Sequence, residues 1–339
     1  MKYRIGVDIG GTKLAAGVVD EFGKILGECE SFDHLGSDEE GVLDKAVRNV
    51  DSALNRAGLS RSDVHGVGAL FPGHIRWPEG VTLTSSNLPG FKGYPLRRRF
   101  GEKLGLPVLA DNDANGQTLG EHRFGAGQGA EHMVFVTVST GVGGGLIIDG
   151  KLYRGMTGTA GEFGHMIVDA TGGQRCSCGN RGCLMGAASG LMLPQVACRV
   201  ALRLAGSAIP PAGCRLLEHL DGPCLVEGCA ITPAECLDLE HLDGPCVVER
   251  CAAGNKLYHA IVDEFSRYVG IGLYNIFQML NPKMVVLGGG LLNFPESFFE
   301  GAARTCRELA GTMMYDPMEI RKSALGASAG VLGAAALFE

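Results

Sequence analysis

The chain has 339 residues, of which 45% are hydrophobic and 20% charged. That balance is ordinary for a folded globular protein and excludes wholesale disorder. A formal net charge of −7 argues against a nucleic-acid partner, which is held by a surplus of Lys and Arg. The densest basic cluster, Arg97-Arg98-Arg99, reads as a solvated helix face.

Met1-Lys2-Tyr3-Arg4 runs straight into Ile5 to Gly11, which already holds Asp8. Nothing there has the pattern of a secretory leader, so a cytoplasmic protein is expected. The longest uncharged apolar run, Ala324 to Phe338, is shorter than the about 20 residues a membrane span needs. It is expected to form a closely packed helix, with no membrane partner. Twelve cysteines in such a chain read as thiols or metal ligands and not as a disulfide framework.

In chain order, Tyr3 to Asp8 reads as a strand that breaks at Gly10-Gly11, and Leu14 to Val19 and Ile25 to Glu30 as the next two strands. Glu39 to Ala57 has apolar residues at helical spacing and a stop at Gly58. Val64 to Leu70 and Leu106 to Ala110 are predicted strands, the second leading into Asp111-Asn112-Asp113 and a helix from about Ala114 to Phe124. Met133 to Val138 and Gly145 to Ile148 are predicted to pair around a glycine loop, repeating the opening device. Lys256 to Leu280 is a long amphipathic helix ended by Asn281-Pro282, and Met284 to Leu287 a buried strand ended by Gly288-Gly289-Gly290. Leu217 to Cys224 recurs as Leu239 to Cys246; two copies read as a local duplication, since a solenoid needs at least three.

The chemistry-bearing positions form four groups. Asp8-Ile9-Gly10-Gly11-Thr12-Lys13 sits at a strand-to-strand turn, where bare backbone N–H groups can approach phosphate oxygens. Thr12 adds a hydroxyl donor, Lys13 a charge, and Asp8 a carboxylate for Mg²⁺, reached through water because Mg²⁺ dehydrates reluctantly. Ser139-Thr140-Gly141-Val142-Gly143-Gly144-Gly145 has the same character, with Thr140, Gly141 and Gly143 as candidate phosphate contacts. Gly288, Gly289 and Gly290 suit a nucleotide base or ribose against backbone. Each loop alone is equally readable as a glycine hairpin turn. No G-x-x-x-x-G-K-[ST] pattern is present, which excludes a P-loop.

Asp113 opens a helix after a strand, where a carboxylate can take the proton of a sugar hydroxyl as the bond to phosphorus forms. Asn112 can hydrogen-bond a neighbouring hydroxyl; the competing reading is that Asp111 or Asp113 merely caps the helix. Glu162 and His165 offer a further carboxylate and imidazole for sugar hydroxyls. His165, Cys176, Cys178 and Cys183 follow the spacing His-x10-Cys-x-Cys-x4-Cys, which matches a closed Cys₃His structural Zn²⁺ site. Such a metal would hold His165, and with it Glu162, rigidly.

These motifs together resemble the ROK family (repressors, open reading frames, kinases), particularly its bacterial glucokinases. Asn87-Leu88-Pro89-Gly90 and the stretch from Ala324-Leu325-Gly326 to Ala335 fit the same pattern, and the resemblance runs from residue 3 to about 337. It implies an α/β, actin-like ATPase (hexokinase/ribonuclease H-like) fold with two lobes that close on a sugar. The lobes are expected at residues 1–115 plus 324–339 and at residues 116–323. It also implies ATP as donor with Mg²⁺, Asp113 as base, Asn87, Asn112, Glu162 and His165 as sugar contacts, and a homodimer or homotetramer.

Two departures stand out. Family members carry Glu two residues after the last zinc cysteine, as a sugar acceptor, and here that position is Met185. The duplication from Leu217 to Ala252 decorates a stretch that is plainer in the family. Glucose is the leading sugar on resemblance; N-acetylmannosamine, N-acetylglucosamine, fructose and allose are the alternatives. A non-catalytic sugar sensor related to the repressors is the alternative of another class.

Overall fold

The computed structural model describes residues 3–338 apart from 12, 33, 35, 86, 205–241 and 315–316. Thr12 and most of the duplication, with Cys224 and Cys229, fall outside the described residues.

Strands β1 (Tyr3–Ile9), β2 (Leu14–Val19) and β3 (Ile25–Ser31) form an antiparallel meander, in register from Arg4 opposite Val19 to Ile9 opposite Leu14. The helix α1 (Glu39–Ala57) follows with the bounds its periodicity predicts. Asp38 caps it by accepting the Gly41 N–H, and Gly58 ends it in the left-handed conformation at φ 68°. Its apolar face (Val42, Leu43, Ala46, Val50, Leu54) is buried with Ile5, Val7 and Val18 of the sheet. Each such Leu or Val removed from water contributes roughly 1.5–3 kcal/mol.

Strand β4 (Val64–Phe71) pairs parallel to β1. The hairpin of β5 (His74–Arg76) and β6 (Val81–Thr84) follows, then α2 (Leu96–Leu104). Strand β7 (Val108–Asn112) pairs parallel to β4 and completes the sheet order β3-β2-β1-β4-β7. It runs two residues further than its apolar stretch, so Asp111 and Asn112 belong to the strand end. Helix α3 (Asp113–Phe124) starts directly after it.

A second sheet has the order β10-β9-β8-β11-β12. Its strands are β8 (Met133–Val138), β9 (Val142–Ile148), β10 (Lys151–Tyr153), β11 (Met284–Gly288) and β12 (Glu319–Lys322). Strand β9 begins three residues before the expected Gly145, because Val142 is buried and pleats in with the rest. The helices α4 (Leu184–Ala188), α5 (Leu193–Leu204), α6 (Gly244–Ala252), α7 (Lys256–Leu280) and α8 (Glu296–Ala310) come between β10 and β12 in the chain. Helix α7 has the predicted bounds, capped by Asn255 and ended by left-handed Asn281.

The closing segment differs from expectation. A helix from Ala324 is predicted, yet the structure has a short 3₁₀ turn at Gly326–Ser328 and then α9 (Ala329–Ala335). Gly326 takes a left-handed φ of 53°, which a right-handed helix running from Ala324 cannot contain, while the Glu121 carboxylate accepts the N–H groups of Ala324 and Leu325 at 3.2 and 3.1 Å. Helix α9 then lies directly on β1 and β4: a Cβ on Gly6 would fall on the Val331 carbonyl, and one on Gly68 on the Ala334 carbonyl.

The chain divides into two compact units. The first comprises Met1–Phe135, Gly144–Gly161 and Ser323–Glu339; the second comprises Val136–Gly143 and Glu162–Lys322.

Candidate active site

In the first unit, the β1–β2 turn closes through the Gly10 N–H donating to the Lys13 carbonyl at 2.8 Å. A Cβ on Gly11 would meet the Asn87 side chain at 2.7 Å, so Asn87 rests directly on the glycine turn. His34, fully buried, donates from Nε2 to the Gly10 carbonyl at 2.9 Å; a carbonyl can only accept, so Nε2 carries the proton. The Lys13 ammonium pairs with Glu30 at 2.6 Å.

Asp8 lies one residue from the end of β1, its carboxylate against α9, where a Cβ on Gly330 would fall on Oδ2. Burial, then the negative charge of Asp113, push its carboxyl up from 3.8 to about 7, with Lys13 opposing. A buried carboxyl beside a second carboxylate is one that a cation would relieve.

Helix α3 is capped by Asn112, not by Asp111 or Asp113. Asn112 Oδ1 accepts the N–H groups of Ala114 and Asn115 at 2.9 and 3.2 Å. Its Nδ2 donates to the Gly73 carbonyl at 3.1 Å and to Asp113 Oδ1 at 2.9 Å. Asp113 Oδ1 also accepts the Ala114 N–H at 2.9 Å. Asp113 therefore stands at the N-terminus of α3, held there by Asn112 Nδ2 and the Ala114 N–H.

In the second unit, the turn at 139–141 closes through the Ser139 N–H and Gly141 carbonyl at 2.8 Å. The Gly190 and Leu191 N–H groups donate to the carbonyls of Ser139 and Thr140 at 2.7 and 3.1 Å. The third glycine loop lies against the same turn: Gly289 has φ 96°, a Cβ there would collide with the Val138 carbonyl, and one on Gly290 would meet Ser139 Oγ at 3.4 Å. Thr140, Gly289 and Gly290 are exposed and Gly141 and Gly143 half-buried, leaving that backbone open to a ligand, whereas Gly288 is buried at the end of β11. Met185, on α4, flanks the loop, its Sδ and Cε each 3.7 Å from where a Gly141 Cβ would be.

Glu162 and His165 share a 3₁₀ turn, the His165 N–H donating to the Glu162 carbonyl at 3.0 Å. The turn lies against β9, since a Cβ on Gly164 would strike the Val142 carbonyl. The imidazole divides its two nitrogens: Nε2 stands 3.9 Å from Glu162 Oε2, and Nδ1 3.6 Å from Cys176 Sγ. Cys178 and Cys183 Sγ are 3.7 Å apart, and ligand atoms of all four residues lie within 4.8 Å of one another. Thiolates and an imidazole on a tetrahedral metal, at about 2.3 and 2.1 Å, stand about 3.8 and 3.6 Å apart. The donor set fits such a cation. Burial and the neighbouring thiols push Cys183 up to about 12, a cost a bound cation removes by taking the proton's place. Cys246 is half-buried and Cys251 buried on α6, and among the described residues neither joins a cluster suited to a metal.

Three residues escaped the sequence reading: His34 under the first turn, Glu121, and Arg154, which donates to Asp111 at 2.7 Å. Each acts across a distance no local pattern reports, Arg154 and Asp111 being 43 positions apart.

With this geometry in place, the comparisons are direct. The ROK family model matches residues 4–339, and the chain belongs to the ROK family. A glucokinase of Streptomyces coelicolor is 33% identical, covering 99% of this chain and 98% of that protein. The crystal structure of a ROK family glucokinase from Streptomyces griseus, in complex with glucose and AMPPNP, is 32% identical over 99% of this chain and 98% of that one, with a TM-score of 0.77. The ROK hexokinase of Thermus thermophilus is 31% identical over 98% and 97%, with a TM-score of 0.76. The fold is thus the expected α/β fold of the actin-like ATPase kind.

Proposed function

We propose that this chain is an ATP-dependent sugar kinase that phosphorylates glucose to glucose 6-phosphate, with Asp113 as the general base. The observation that carries the base is its placement: a carboxylate at the N-terminus of α3, oriented by Asn112 Nδ2 at 2.9 Å, in a chain similar throughout to glucokinases. Asp113 takes the proton of the sugar hydroxyl as its oxygen bonds to the γ-phosphorus and ADP departs. Asn87, Asn112, Glu162 and His165 hold the sugar hydroxyls. The turns at residues 10–13 and 139–143 present N–H groups to phosphate oxygens, and residues 288–290 lie against the nucleoside.

Mg²⁺, when bound, neutralises charge on the phosphates, and Asp8 is the residue that would hold it, consistent with a carboxyl that Asp113 disfavours. Zn²⁺ suits the His165, Cys176, Cys178 and Cys183 set in donor type and spacing. All four positions are protein ligands, so its role is to hold the Glu162–His165 turn. The reading includes a cytoplasmic homodimer or homotetramer; among the described residues no helix is long and apolar enough to cross a membrane.

Met185 bears on sugar choice, because a thioether beside Gly141 cannot accept a hydroxyl as a carboxylate would. The test is a panel of glucose, fructose, allose, N-acetylmannosamine and N-acetylglucosamine with ATP and Mg²⁺, run on the parent and on Met185→Glu. Glucose should give the highest kcat/KM in the parent, and Met185→Glu should lower the glucose KM about tenfold, as one added charged hydrogen bond implies. Turnover of an N-acetylhexosamine in preference to glucose would replace the acceptor, and ADP release with none of them would leave a sugar sensor.

A further inference from the structure

Asp111, the penultimate residue of β7, lies two residues before Asp113 and is only 2% exposed. Both of its oxygens are engaged. Oδ1 accepts the Asn112 N–H at 2.8 Å and Asn115 Nδ2 at 3.1 Å, and Oδ2 accepts Arg154 Nε at 2.7 Å. The guanidinium of Arg154 lies over Trp77, its central carbon 3.7 Å from the ring centroid. Its side chain is 18% exposed, so the ion pair is largely out of water. On the far side, Asn112 passes the constraint on, donating to Asp113 Oδ1 at 2.9 Å and to the Gly73 carbonyl at 3.1 Å. The residues form one connected series: Trp77, Arg154, Asp111, Asn112, Asp113.

We infer that Arg154 is a positioning residue for phosphoryl transfer: stacked on Trp77, it balances the buried charge of Asp111, and through Asp111 and Asn112 it fixes the orientation of the Asp113 carboxylate. The inference rests on Asp113 being the base. A buried carboxylate stripped of its cation turns toward water or other donors. Here that turn would release the Asn112 N–H, and with it the side chain that aims Asp113. Proton transfer tolerates little such drift, since a base must stay within hydrogen-bond reach of the hydroxyl it serves. The site also explains why the residue is Arg. Its planar group stacks on the indole while Nε points in the plane at the carboxylate; a Lys ammonium can pair with Asp111 but cannot stack in that way.

The experiment uses the full-length enzyme with glucose, ATP and Mg²⁺. Arg154→Met keeps the stem and removes charge and donor. Its kcat should fall at least tenfold while KM for ATP stays within twofold, and Arg154→Lys should recover part of the kcat. In a cycle with Asp111→Asn, the double variant should lose no more than the worse single variant, because both act through one contact. A kcat within twofold of the parent in Arg154→Met, or single losses that multiply in the double variant, would overturn the inference. Should Arg154→Met fail to fold, Trp77→Leu, which leaves the ion pair and removes the stack, is expected to lower kcat at least threefold; a parent kcat there overturns it equally. Asp113→Asn is measured alongside: activity in that variant removes the base reading itself, whereas its inactivity together with an unaffected Arg154→Met removes only the role of Arg154.

Discussion

Asp8 offers the clearest pH signature among the single residues. Its carboxyl is raised from 3.8 to about 7 by burial and by Asp113, so the folded chain holds this proton more tightly than the unfolded chain does. The consequence has a definite sign: a stability penalty develops as pH rises from near 3.8 and is complete above about 7. Thermal melts without Mg²⁺ should therefore show the parent losing ground to Asp8→Asn between pH 5 and 8. A constant difference between the two would mean that Asp8 titrates normally. On the reading that Asp8 holds Mg²⁺ in its ionised form, kcat/KM for ATP should rise with pH through about 7 at limiting Mg²⁺ and flatten when Mg²⁺ is saturating.

At the scale of elements, the zinc-loop reading predicts about one Zn per purified chain by elemental analysis. Stripping it should raise the KM for glucose more than the KM for ATP, because the metal restrains the turn that carries Glu162 and His165. A metal-free, folded preparation with parent kinetics would contradict that role. Gly68→Ala tests the packing of α9 on β4, where a new methyl falls on the Ala334 carbonyl. Overpacking of this kind costs about 1–3 kcal/mol, readable as a lower denaturant midpoint. Legibility followed the range of the interaction. Helix α1 was readable end to end, since its apolar spacing, Asp38 and Gly58 are all local. The grouping of His165, Cys176, Cys178 and Cys183 was readable too, because all four lie within one short stretch of the chain. The start of α9 was not, because the left-handed turn at Gly326 interrupts an otherwise uniform run of small apolar residues. The cap of α3 is not legible locally, because Asp111, Asn112 and Asp113 are all good N-caps by type, and only the length of β7 selects Asn112.

For the whole molecule, the C-terminal segment is built into the first unit. Glu121 is fully buried and accepts from the Ala126 N–H at 2.9 Å, from the Ser323 hydroxyl and from the N–H groups of Ala324 and Leu325. Arg123 adds bonds to the carbonyls of Ala336 and Phe338 at 3.2 and 3.3 Å. Glu121→Ala leaves three partly buried N–H groups without their acceptor and should destabilise the fold by roughly 1–3 kcal/mol, measured by chemical denaturation; a loss below about 0.5 kcal/mol, the range of ordinary surface changes, would show that the segment docks by apolar packing alone.

The kinase reading turns on the carboxylate of Asp113. The most direct measurement is kcat of Asp113→Asn with glucose, ATP and Mg²⁺, set beside calorimetric binding of glucose to the same variant. The account predicts a loss of about 10²–10⁴ in kcat, the range a general base supplies, with the glucose Kd changed no more than a few-fold. Turnover at the parent rate would contradict it.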